Sequence, residues 1–79
     1  MVQPSAEPQD WERTLEGLHF PLSLVEFMKR GREVGGVDSE VHGVIGRLQR
    51  DSYDSLDQLT QEIREIYAAD GVAADKMPL

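Results

Sequence analysis

The chain is 79 residues long, one domain at most, and carries 8 Lys and Arg against 15 Asp and Glu for a net charge of −7. It has no cysteine, which excludes disulfides and thiolate metal sites, and its two histidines cannot by themselves close a zinc site. A small acidic chain repels nucleic acid and anionic membrane at long range, and no apolar run approaches the ~20 residues that a membrane span needs.

Residues 1–9 hold two prolines and little that could join a core, so they read as a disordered N-terminal tail. They lack the basic and apolar stretches of a signal peptide, which makes the cytoplasm the expected location. Asp10 is the expected N-cap of a short helix over residues 11–16 that stops at Gly17. Trp11, Leu15 and Leu18 give that helix an apolar face. Pro21 then holds Phe20 in extended geometry. Ser23-Leu24-Val25-Glu26 fits a capping box, with Leu22 and Phe27 at the staple positions. Leu24, Phe27, Met28, Gly31 and Val34 continue as an apolar stripe, and Gly35-Gly36 supplies a left-handed residue to end it.

Asp38 is the next expected N-cap, before a helix over residues 39–49 whose stripe is Val41, Val44, Ile45 and Leu48. Gly43 and Gly46 each cost about 1 kcal/mol relative to Ala inside a helix. Close packing against a neighbouring helix is the expected reason for them. Asp51 to Asp54 read as a turn. Ser55-Leu56-Asp57-Gln58 is a second capping box, followed by a helix over residues 56–69 with Leu56, Leu59, Ile63 and Ile66 in its stripe and Tyr67 beside them. Asp70-Gly71 closes it, and residues 71–79 read as a flexible tail. No stretch alternates apolar and polar for long enough to predict a sheet. The predicted fold is therefore all-α: a compact bundle of three main helices plus a short N-terminal helix, occupying residues 10–70 as a single domain between two tails.

The opening Leu15-Glu16-Gly17-Leu18-His19-Phe20-Pro21, the Ser23 that follows, the break at Gly35-Gly36, and the run from Ile45 and Leu48 to Tyr53-Asp54-Ser55-Leu56-Asp57 are ordered pieces of one pattern. Across about two-thirds of the chain they resemble the DUF2795 family of small uncharacterised bacterial proteins. The resemblance implies a fold and a bacterial cytoplasm. It carries over no catalytic residues.

Catalysis needs a nucleophile with a base, a separated acid and base, or a metal. Ser23, Ser39, Ser52 and Ser55 sit at caps and turns, where serine is favoured for backbone reasons. His19 and His42 read as surface or half-buried side chains; meeting at an interface, they would make association sensitive to protonation. Gly35-Gly36 lacks the Lys-Ser/Thr of a phosphate loop, and no calcium-loop pattern exists. The expectation is that the chain is not an enzyme and takes no cofactor or metal.

Charge is more informative. Residues 24–50 are net +1, residues 51–79 net −5 and residues 1–23 net −3. Lys29, Arg30, Arg32, Arg47 and Arg50 form the one basic zone, and Asp57, Glu62 and Glu65 lie on the polar side of the last helix. These eight are the candidate partner contacts. The leading expectation is a small acidic protein-interaction or regulatory module with an unknown protein partner. One alternative is an acidic inhibitor that mimics nucleic-acid charge. Another is weak DNA or RNA binding through Lys29, Arg30 and Arg32, which the negative field and the lack of interleaved aromatics disfavour. A helix-turn-helix reading fares worse, because its recognition helix would present Glu62 and Glu65 to phosphates. A homodimer through the 56/59/63/66 seam is a further expectation.

Overall fold

The computed structural model describes residues 4–79. Four α-helices appear among them: α1 (Pro8–Leu15), α2 (Leu24–Glu33), α3 (Ser39–Ile45) and α4 (Leu56–Ala69). A two-stranded antiparallel sheet, β1 (Leu22–Ser23) and β2 (Ser52–Tyr53), and a 3-10 turn over Ala74–Lys76 complete the set. The fold is thus mostly helical and compact, and the expectation of a purely α-helical chain is corrected by the sheet. Two residues per strand are too few for period-2 patterning to register. In the sheet Leu22 faces Tyr53 and Ser23 faces Ser52, and the Leu24 amide extends the pairing to the Asp51 carbonyl at 2.8 Å. The sheet therefore ties the start of α2 to the segment just before α4.

The capping chemistry explains most helix boundaries. Ser23 accepts from the Glu26 amide at 3.1 Å, Asp38 from the Glu40 amide at 2.8 Å, and Ser55 from the Gln58 amide at 3.2 Å. Gln58 reaches back one residue further than a standard box and accepts from the Asp54 amide at 2.8 Å. Gly17, Gly36 and Gly71 each take positive φ just after a helix, a conformation that glycine adopts without penalty. The peptide bond before Pro21 is cis.

Three expectations fail at boundaries. α1 starts at Pro8, with Glu7 as its cap, and Asp10 sits at the third helical position, where its carboxylate accepts from the Glu7 amide at 2.9 Å. Proline is suited to the first helical turn, because its missing N–H would have no partner there. α3 stops at Ile45, four residues short of the predicted end, and Leu48 is buried from the loop that follows. The two terminal stretches also pack. Ser5 and Ala6 donate their amides to Glu40 at 3.2 and 3.0 Å, and Ala6 is buried; residues 1–3 of the predicted tail lie outside the described residues. At the other end Val72 and Pro78 are buried, and the Arg64 guanidinium donates to the Leu79 carbonyl.

The core is built from Trp11, Leu22, Phe27, Val41, Val44, Ile45, Leu48, Tyr53, Leu59, Ile63 and Tyr67, with Ala6 and Val72 closing its ends. α4 turns Leu59, Ile63 and Tyr67 inward, so its buried stripe is rotated from the predicted one and Leu56 is left 45% exposed. Tyr67 belongs inside because its hydroxyl finds partners there. It accepts from the Trp11 indole N–H and donates to Glu40, both at 2.9 Å. Leu59 and Ile63 are fully covered within the chain, so of the 56/59/63/66 seam only Leu56 and Ile66 reach the surface. α2 and α3 meet closely at Gly31, where a β-carbon would stand 3.0 Å from Ile45 Cδ1. Gly43, expected at such a contact, has nothing near it, and Gly46 lies outside the helix as its C-terminal cap.

Candidate functional site

α4 presents its outer side to solvent, and five of the eight candidate contacts gather around it. Arg47, Arg50, Glu62 and Glu65 line one hollow of about 620 Å³, with Gln49, Ile66 and Ala69 completing it. Asp57 joins Arg50, Glu62 and Glu65 in a neighbouring hollow of about 370 Å³. The loop from Gly46 to Asp51 and the helix bring them together, because β2 folds that loop back alongside α4.

The charges in this region are largely organised by the fold itself. Glu62 accepts from the Tyr53 hydroxyl at 2.9 Å and from the Gln49 amide at 3.1 Å, and Arg50 Nε stands 3.8 Å from it. It anchors the loop to α4. Arg47 pairs with Asp70 at 2.6 Å between two half-exposed side chains. The hydrogen bond between them raises the Arg47 pKa and lowers that of Asp70. Burial pushes the Tyr53 hydroxyl well above its ordinary range, and the Glu62 carboxylate adds to the shift. Tyr67 is raised in the same way, first by burial.

The basic zone does not assemble into one patch. Arg30 turns onto the Glu16 carbonyl at 2.6 Å, with its Nε enclosed. Arg32 lies beside His42 at a small hollow of about 90 Å³ between α2 and α3. Lys29 is exposed on α2 and makes no ion pair among the described residues. Arg47 and Arg50 stand at α4 instead, each beside a carboxylate. Trp11 and Tyr67 are both buried and so offer no surface to a partner.

Sequence reasoning missed part of the lining of α4. A third hollow, of about 410 Å³ with mainly apolar walls, lies on its other flank and is formed by Asp57, Thr60, Gln61, Arg64, Glu65, Ala68 and Met77. Thr60 and Ala68 lack any pattern that marks a site, and the return of the C-terminal stretch to α4 brings Met77 beside them. No helix among the described residues is long and apolar enough to cross a membrane. Compared with protein-family models, with curated proteins and with solved structures, the chain matches none.

Proposed function

We propose that the chain is a small acidic interaction module that binds a protein partner with a basic surface. One observation carries this reading. Asp51, Asp54, Asp57, Glu65 and Asp75 are exposed and make no ion pair among the described residues, whereas Arg30, Arg47 and Arg50 are turned onto acceptors within the chain. With a net charge of −7 the field that reaches a partner is negative, and these five carboxylates supply much of it, which favours encounter with cationic surfaces. Nucleic-acid binding through Lys29, Arg30 and Arg32 is weakened by the same arrangement. The resemblance to the DUF2795 family, over the stretch from Leu15 to Ile66, supports a bacterial cytoplasmic setting for the module.

Affinity capture from the native host tests the reading, with the parent chain and a variant carrying Asp51→Asn, Asp54→Asn, Asp57→Asn, Glu65→Gln and Asp75→Asn as baits. The parent is expected to retain a basic protein that elutes as salt is raised, and the variant to lose it. Equal retention by both baits, or capture of nucleic acid instead of protein, overturns the proposal. Capture by the variant alone would do the same.

A further inference from the structure

Glu40 and Asp38 are half-buried carboxylates, and neither makes an ion pair among the described residues. A carboxylate drawn partly out of water is ordinarily matched by a cation. Here the donors are neutral. The Ser5 and Ala6 amides reach the two different oxygens of Glu40, at 3.2 Å to Oε1 and 3.0 Å to Oε2, and the Tyr67 hydroxyl shares Oε2 at 2.9 Å. Ser5 Oγ donates to Asp38 Oδ1 at 2.9 Å. Two N–H groups side by side on the two oxygens of one carboxylate reproduce the fork of a guanidinium without its charge.

The arm that supplies these amides is lightly held. Ser5 is exposed, and the Ala6 methyl group is buried. Helix α1 has anchors of its own in Thr14 and in Trp11, which donates to Tyr67. Resting on the protein-binding reading above, we infer that residues 4–6 are an autoinhibitory strap, occupying with two neutral amides a seat on Glu40 that an arginine side chain of the basic partner takes when the strap lifts. The guanidinium sets two N–H groups on Oε1 and Oε2 and brings the missing positive charge, with Asp38 beside it. The Tyr67 hydroxyl stays on Oε2 and holds the carboxylate in place. Lysine offers a point charge and no fork, so it competes less well. The tether keeps the strap at high local concentration, and the affinity for the partner falls with the fraction of chains that are closed.

The test titrates the full chain with a short blocked peptide, glycine-arginine-glycine, while amide shifts and hydrogen exchange are followed. Matched peptides carry lysine or citrulline in place of arginine. The arginine peptide is expected to shift the Ser5 and Ala6 amides saturably and to speed their exchange, with the Trp11 indole signal unmoved. The lysine peptide should bind several-fold more weakly on the order expected for loss of the fork, and the uncharged citrulline peptide not at all. Ser5→Pro takes one amide and the hydroxyl from the seat, and is expected to bind the arginine peptide about tenfold more tightly. Glu40→Gln is expected to lose binding; the gain in Ser5→Pro is a readout that misfolding cannot imitate. The strap is overturned if Ser5→Pro binds no more tightly, if citrulline serves as well as arginine, or if the shifts map to residues 51–75. Loss of cooperative melting in Ser5→Pro also overturns it, because the arm is then part of the fold. The protein-binding reading is separable. A captured partner lost by the five-carboxylate variant, but held equally by the parent, Ser5→Pro and Glu40→Gln, overturns the strap alone.

Discussion

The Trp11 indole N–H donates to the Tyr67 hydroxyl across 2.9 Å, and the two rings meet edge to face with centroids 6.3 Å apart. Both side chains are buried, and 56 residues separate them in sequence. The contact joins α1 to α4 through two of the largest buried side chains. Because the same hydroxyl donates to Glu40, it also fixes α3 to that pair.

Removing the hydroxyl tests how much this junction carries. Tyr67→Phe keeps the ring but leaves the indole N–H without a buried acceptor and takes one donor from Glu40. The expected loss is about 1–3 kcal/mol, measured by urea unfolding. Tyr53→Phe is expected to cost less, about 1 kcal/mol, because it orphans no buried donor and Glu62 keeps the Gln49 amide.

Glu40 gathers three donors on two oxygens: the amides of Ser5 and Ala6 and the Tyr67 hydroxyl. Glutamine has one acceptor oxygen, and its NH2 would face a donor. Glu40→Gln is expected to destabilise the chain by about 1–3 kcal/mol. Hydrogen exchange should accelerate most at Ser5 and Ala6; unchanged exchange there would remove the carboxylate from its anchoring role.

Alkaline pH should unfold the chain through its tyrosines. Both hydroxyls are held above the ordinary tyrosine pKa of about 10. Below that pH their contribution to stability is fully present. Above it the unfolded chain releases protons that the folded chain keeps, so stability falls as pH rises. Tyrosinate absorbance is therefore expected to grow together with the loss of helical circular dichroism. Tyrosinate forming near pH 10 in a fully helical chain would contradict the burial of both rings.

Two glycines should answer alanine in opposite ways. Gly43 faces open space inside α3, so Gly43→Ala is expected to stabilise by about 1 kcal/mol. At Gly31 the added carbon meets Ile45 Cδ1 at 3.0 Å, and overpacking offsets the same helical gain. Ile45→Val removes that methyl group and is expected to restore the gain in the double variant, a coupling that thermal melts of the four proteins would read out.

What the sequence disclosed follows from how local the cause is. The caps at Ser23, Asp38 and Ser55 and the stops at Gly17, Gly36 and Gly71 depend on a few neighbouring residues, and all could be read from them. The stripe of α4 was ambiguous. Leu56, Leu59, Ile63 and Ile66 fit helical spacing as well as Leu59, Ile63 and Tyr67 do, and partners on α1 and α3 decide between them. The sheet pairs residues about thirty positions apart over two residues per strand, which leaves no periodic trace. Around α4, the charged residues were visible as charge, but their pairing was not. Arg47 with Asp70 and Glu62 with Tyr53 depend on the loop before β2 folding back.

The seating of Ser5 and Ala6 on Glu40 bears on where the folding unit begins. Hydropathy would trim the chain to Asp10, yet such a cut removes both amides that the carboxylate receives, the buried Ala6 methyl group and the proline turn that opens α1. A shortened protein starting there would expose a negative charge at the junction of three helices with one neutral donor left to hold it. A fragment starting at Asp10 is therefore expected to melt earlier than the 79-residue chain, and expression tags on that side belong behind a spacer.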